Sequence, residues 1–215
     1  MRYNQSNLLL DPLDAPALER VLLQYGTVKQ LPPRQIFSMP GDQLDGLIYI
    51  QEGITRHYLM SIDGMEKLLY QLPKGWFFGE LCCWSGLRTG VYSQAYTKAT
   101  LITIPFKSAH MLADTNEVFR STILQCLTFK TLILRNEIEN TSFYSVKERI
   151  KRLFLAAAEE KPTEGHWHSL KIAYTHAMLG SIVGASRVTI SKVFNELRLE
   201  GFLRTVNNRI QIHLP

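Results

Sequence analysis

Six side chains near the C-terminus, Ser186, Arg187, Thr189, Ser191, Lys192 and Asn195, could share the exposed face of one helix. Their chemistry is that of groups which hold a nucleic-acid backbone. Hydroxyls and amides donate to phosphate oxygens, cations pair with them, and an arginine can reach a base edge with two parallel hydrogen bonds. Val188 lies among them and offers only a methyl surface. Thr175, upstream, suits the cap of a preceding helix and a phosphate contact. The expected partner of this set is double-stranded DNA.

Such a face needs a scaffold, and the spacing supplies one. Gly184 falls where a turn would separate two helical segments, and Gly180 is small enough to let them cross closely. Leu179, Val183, Ile190 and Val193 occupy the slots that a crossed helix pair buries. Together these positions predict a helix-turn-helix whose second helix carries the polar, basic face.

The charge distribution agrees. The formal net charge is +5, and residues 141–215 hold 11 Lys and Arg against 6 Asp and Glu. The first 140 residues hold 13 of each sign, so the whole excess lies in the segment with the helix-turn-helix. Lysines and arginines release counterions when they meet phosphates. No metal-spacing cluster, nucleophile elbow or carboxylate pair appears, so an enzyme is not expected. The three cysteines, Cys82, Cys83 and Cys126, are odd in number and two are adjacent, which argues against a disulfide framework and for a reducing cytoplasm. The start, Met1 to Ser6, has no secretory apolar region, and no 18-residue apolar run occurs, so no membrane partner is expected.

Residues 1–107 read as a β domain. Strand-length apolar runs fall at Gly46–Gly53, Ile54–Met60, Glu66–Leu72, Val91–Thr97 and Thr100–Ile104, broken by turn signals such as Ser61-Ile-Asp-Gly64. Short strands at this spacing predict an antiparallel barrel or jelly roll, with a flanking helix over Leu13–Tyr25. From about Ser108 the period becomes helical. Leu124, Leu127, Thr131, Leu134 and Ile138 are spaced 3, 4, 3 and 4, a seam for a parallel helix pair. Phe119, Ile123, Cys126 and Ile133 make a second stripe that suits packing on the β domain. Residues 108–140 are therefore expected to form a dimerisation helix.

In residues 141–215 a basic amphipathic helix is expected over Val146–Ala158, and Leu170–Ala173 reads as a strand. Phe202 to His213 reads as a hairpin turning at Asn207-Asn208, the wing of a winged helix. The fold class is α+β.

This order of elements resembles the Crp/Fnr family of bacterial transcription regulators over nearly the whole chain. Besides the helix-turn-helix, Gly75-Trp-Phe-Phe-Gly79-Glu80-Leu81 carries the likeness, because it is similar to the family's phosphate-binding cassette. The resemblance implies a homodimer, RNA polymerase as a further partner, and a small effector bound in a cyclic-nucleotide-binding-like β domain. It places that effector at Phe78, Gly79, Glu80, Leu81, Arg88, Thr89 and Tyr92, with Leu134 and Arg135 reaching it from the long helix. In cyclic-nucleotide binders the Glu accepts from the ribose and an Arg pairs with the cyclic phosphate. Here the family's Arg-Ser position falls on Thr89-Gly90, and Arg88-Thr89 replaces it only after a one-residue shift. The insert Cys82–Ser93 is aromatic, which suits a flatter, less charged ligand than cyclic AMP. Met65–Tyr70 and the Val188-Thr-Ile-Ser stretch look most like the branch that senses halogenated aromatics.

Three thiols, none before Cys82, do not match the four that an iron–sulfur sensor needs, and His57 and His110 have no axial-ligand context, so neither cluster nor haem is expected. Cys82-Cys83 reads as a thiol switch or as buried small hydrophobes. Relatives read DNA with an Arg-Glu…Arg set, which here is Arg187, Val188 and Lys192, so a changed operator follows. Three readings stand: an effector-gated regulator, with cyclic-nucleotide dependence as its less favoured alternative; a constitutive DNA binder with a degenerate sensor domain; and, unsupported by any motif, a β-barrel enzyme.

Overall fold

A computed structural model describes residues 3–4, 8–13, 15–207 and 209–214. The leader reading at Met1–Ser6 falls largely outside them, as does Asn208 of the expected wing turn. Chain contacts define two compact units. One comprises chiefly Leu9–Leu59 and Leu69–Arg135; the other comprises chiefly Met60–Leu68 and Asn136–Pro215.

The first elements are β1 (Tyr3–Asn4), β2 (Leu9–Leu10), α1 (Pro16–Tyr25), β3 (Thr27–Leu31), β4 (Ile36–Ser38), β5 (Gly46–Glu52), β6 (Thr55–Met60) and β7 (Glu66–Leu72). They continue with β8 (Phe77–Phe78), α2 (Glu80–Ser85), β9 (Tyr92–Ala95), β10 (Ala99–Pro105), α3 (Phe106–Thr115) and α4 (Glu117–Phe143). The C-terminal elements are α5 (Val146–Ala157), β11 (Trp167–Ser169), α6 (His176–Val183), α7 (Arg187–Leu199), β12 (Leu203–Val206) and β13 (Arg209–His213).

The β-rich unit is built on two sheets, ordered β1-β2-β7-β6-β9-β4 and β3-β10-β5-β8. β10 pairs antiparallel with β3 and β5, and β9 pairs antiparallel with β4 and β6. β2 departs from the expected antiparallel pattern, lying parallel to β7 with Leu9 opposite Gln71. Side chains from both sheets, including Leu47, Tyr49, Tyr70, Leu72 and Ile102, share one apolar core with Trp76, Phe77 and the inner face of α4. That face is Phe119, Ile123, Cys126 and Ile133, as its spacing suggested.

The structure adds two features to the sequence reading and corrects one. β3 and β4 were not expected, because Thr27–Leu31 is exposed at all but its last residue and offers no inward alternation. The stretch after the cassette, for which no element was read, coils into α2. Gly79 and Gly86 bracket it, both left-handed, with φ of 95° and 69°, conformations glycine reaches without Cβ strain. The strand expected at Leu170–Ala173 lies instead at Trp167–Ser169, where it pairs with β13. Leu170 makes only an isolated bridge with Ala158.

In the second unit β11, β13 and β12 form a three-stranded sheet beside α5, α6 and α7. Asn207, with φ of 49°, opens the turn between β12 and β13. α5 begins with a complete capping box, Ser145 and Glu148 satisfying each other's backbone amides. Ile150, Phe154, Leu179, Ile190, Phe194, Leu197 and Ile212 are buried among the helices and this sheet.

Candidate nucleic-acid interface and effector site

The helix pair α6–α7 is held by small residues and caps. A Cβ added to Gly180 would stand 2.6 Å from the Ala185 carbonyl oxygen, a contact that only glycine avoids. Gly184 ends α6 in the left-handed region, with φ of 68° and ψ of 54°. Thr175 caps α6, its hydroxyl accepting from Met178 N at 3.1 Å. Ser186 caps α7, accepting from Thr189 N at 3.1 Å, and its hydroxyl lies 2.9 Å from that of Thr189. Ser191 Oγ donates to the Arg187 carbonyl at 3.0 Å and sits 3.3 Å from His176 Nδ1.

Part of the expected face is therefore occupied in shaping the helix. Ser186, Thr189 and Thr175 spend their hydroxyls on caps. Arg187, Val188, Lys192 and Asn195 stand exposed, with Asn195 Oδ1 accepting from Arg198 at 3.4 Å. Of the other cations of this unit, Lys147 and Lys151 pair with Glu200 at 2.8 and 2.7 Å. Those two ammonium groups hold the Glu200 carboxyl down at about 2. Arg204 pairs with Glu164 at 2.6 Å and lies over the Trp167 ring. The charge excess read from the sequence is thus partly spent inside the fold, while Arg187 and Lys192 point to solvent.

On α4 the expected seam is bare. Leu124, Leu127, Leu134 and Ile138 are 59%, 39%, 39% and 67% exposed, and Thr131 is exposed with them. A row of large apolar side chains open to water is the mark of a surface that another surface covers.

The cassette in the β-rich unit is organised around a residue that motif reading missed. Lys130, on α4, is buried, and its three donors are all used. They reach Glu80 Oε1 at 2.7 Å, Glu80 Oε2 at 2.9 Å and the Phe77 carbonyl at 2.7 Å. Burial pushes the Lys130 ammonium toward neutrality, but Glu80 outweighs it and the net shift is upward. Glu80, the residue expected to accept from a ribose, is therefore engaged from within. A sequence signal for Lys130 existed: Phe119, Ile123, Cys126, Lys130 and Ile133 are spaced 4, 3, 4 and 3, so the lysine stands in a core slot of the inner stripe.

Around this pair the interior is aromatic and polar. His57 is fully buried, with Nε2 3.0 Å from the Thr55 hydroxyl and Nδ1 3.0 Å from that of Ser93. Its ring lies 4.5 Å from Phe78 and 5.2 Å from Tyr70, with Phe37 edge-on at 6.2 Å. Burial, and secondarily Lys130, lowers the His57 pKa well below the usual imidazole value. Tyr70, whose ring is 5.5 Å from Lys130 Nζ, has its phenol pushed up by burial. Ser38, opposite Ser93 in register, is 2% exposed, and its hydroxyl has no partner among the described residues.

The remaining effector candidates scatter. Phe78 and Gly79 border the cluster. Leu81 turns outward, 61% exposed. Arg88 is at the surface, donating to the Gly41 carbonyl at 2.8 Å, while Thr89 is buried and its backbone pairs with Gly41 and Asp42. The one-residue shift thus leaves the arginine outside and the threonine inside. Tyr92 stacks on Tyr58 at 5.3 Å, capped by Arg56 at 4.4 Å from the Tyr58 ring. Leu134 and Arg135 are exposed. Cys82 and Cys83 are buried, and burial raises both thiols, Cys83 to about 11, so neither is a ready thiolate. Among the described residues no helix is long and apolar enough to cross a membrane.

Residues 148–215 match the profile of the Crp-like helix-turn-helix domain. Neighbours in sequence and structure extend over the rest of the chain. The cAMP-activated global transcriptional regulator CRP of Salmonella typhimurium is 23% identical over 203 residues, 94% of this chain and 96% of that protein. The c-di-GMP responsive global regulator CLP of Xanthomonas campestris superposes with a TM-score of 0.77 at 22% identity, covering 94% of this chain and all of the other. CprK complexed with OCPA gives a TM-score of 0.74 at 21% identity, over 97% and 96% of the two chains. The fold is Crp/Fnr-like, with a sheet-rich N-terminal domain, a long helix and the C-terminal Crp-like domain.

Proposed function

We propose that this protein is a dimeric, DNA-binding transcription regulator of the Crp/Fnr type, gated by a small effector in its β-rich domain. The observation that carries the reading is the face of α7. Arg187, Val188, Lys192 and Asn195 are open to solvent on a helix capped by Ser186 and set by Gly180 and Gly184, within a Crp-like domain. The bare seam on α4 supports a homodimer, which doubles a short recognition element by symmetry.

The effector in this reading is a flat, aromatic molecule rather than a cyclic nucleotide. Glu80 is already paired with Lys130, Arg88 lies at the surface, and the interior offers Phe37, His57, Tyr70 and Phe78 beside a cation. CprK, complexed with OCPA, and CRP, activated by cAMP, bracket the two ligand classes. No haem or iron–sulfur group forms part of this reading, and RNA polymerase is its further partner. A thermal-shift comparison of cyclic AMP, cyclic di-GMP and halogenated aromatic acids tests it. The aromatic acids are expected to raise Tm by mass action and the nucleotides to leave it unchanged. Stabilisation by cyclic AMP alone would refute the ligand class. A second reading, constitutive binding with a silent sensor domain, is favoured by one fact: Lys130 donates to both Glu80 oxygens. It predicts DNA binding that no compound alters.

A further inference from the structure

The tip between β6 and β7 belongs, by its contacts, to the unit that contains the Crp-like domain. Lys67, the second residue of β7, is only 21% exposed, and its ammonium donates both to the Glu137 carboxylate on α4 and to the Ile182 carbonyl near the end of α6. Glu137 is fixed in turn by Asn140, whose amide donates to Oε1 at 3.4 Å. Carbonyls in the last turn of a helix have no partner within it, and a cation there meets the negative end of the helix dipole. The next carbonyl, Val183, accepts from Arg149 at 2.6 Å. The Lys67 stem also lies against the turn: a Cβ on Gly184 would come within 3.3 Å of its Cδ.

We infer that Lys67 is a positioning residue for DNA reading. With Glu137 it pins the end of α6, and through the Gly184 turn it fixes the direction in which α7 leaves. The inference rests on the reading of α7 as the DNA-recognition helix. In this pinned arrangement the face of Arg187, Val188 and Lys192 is open to solvent.

The test uses the full-length protein with Lys67→Met, Glu137→Gln, the double variant and Lys67→Arg. Binding to a mixed-sequence duplex is followed by fluorescence anisotropy across a salt series, and amide exchange is measured over 179–185. Lys67→Met and the double variant are each expected to weaken binding about tenfold, the two changes being non-additive because they remove one shared contact. The slope of log affinity against log salt stays at the wild-type value, because Lys67 touches no phosphate. Lys67→Arg, which still donates to the carboxylate, stays within about twofold. Exchange over 179–185 quickens in Lys67→Met and in the double variant. Wild-type affinity and exchange in the double variant would overturn the inference, and so would a reduced salt slope, which would make Lys67 a direct phosphate contact. If the wild type binds no duplex at any salt, the DNA reading fails instead, and the exchange measurement alone then decides whether Lys67 pins α6.

Discussion

Replacing Lys130 by methionine isolates the energetics of the interior pair. The lysine side chain is 9% exposed and that of Glu80 4%, so removal of the ammonium leaves a carboxylate with no charge partner in a dry setting. Breaking a buried pair by removing one member costs about 3–5 kcal/mol. For a chain of this size each kcal/mol shifts Tm by about 2–4 °C, so a fall on the order of 10 °C is expected. The double variant Lys130→Met/Glu80→Leu removes the orphaned charge with its partner and should regain most of that loss, leaving the unmet Phe77 carbonyl, worth about 1 kcal/mol. The sign with pH follows from the raised lysine value. Its contribution is complete below the ordinary lysine pKa of about 10.4 and is lost only as pH climbs through the folded value. The Lys130→Met deficit is therefore flat from neutral to mildly alkaline pH. The assay is thermal denaturation by circular dichroism at several pH values. A single variant that loses less than about 1 kcal/mol, or a double that loses as much as the single, would refute the reasoning.

Three other outcomes follow from the geometry. His57 has a depressed pKa, so the folded state resists a proton that the unfolded chain accepts; stability should fall as pH drops below about 6.5, and Tm against pH should flatten in His57→Gln. Leu127→Arg, on the exposed seam, should give monomers in sedimentation and weaken DNA binding by loss of the second half-site; dimers of unchanged mass would count against the seam. In a binding-site selection, Arg187→Ala should cost about 1–3 kcal/mol and relax preference at one base pair, whereas Val188→Ala should alter little; a selection that returned the common family consensus would contradict the altered set.

The legible parts of this molecule were those in which one physical constraint repeats. The two stripes of α4 could be separated because inward and outward positions, mostly apolar in each stripe, recur every three or four residues. The helix-turn-helix was legible because Gly180 and Gly184 meet steric demands that other residues cannot. Lys130 escaped because a charge in an apolar stripe reads as an interruption, and its partner lies 50 residues away in sequence. The short strand at Trp167 escaped for the opposite reason: its apolar neighbours Leu170 and Ile172 imitate a strand more closely than Trp167-His168-Ser169 does. Arg88 was placed by a motif shift, and only the chain path showed that its neighbour Thr89 turns inward instead.

The α4 helix carries Lys130 and Thr131 side by side, one tied to the interior and the other on the bare edge. Adjacent residues on a helix differ by about 100° in direction but share one rigid cylinder. A roll of about 20° carries an atom some 6 Å from the axis through roughly 2 Å. That is enough to part an ammonium from a carboxylate at hydrogen-bond distance. A change that reset Lys130 against Glu80 by rolling this rod would therefore also re-aim Leu127 and Leu134.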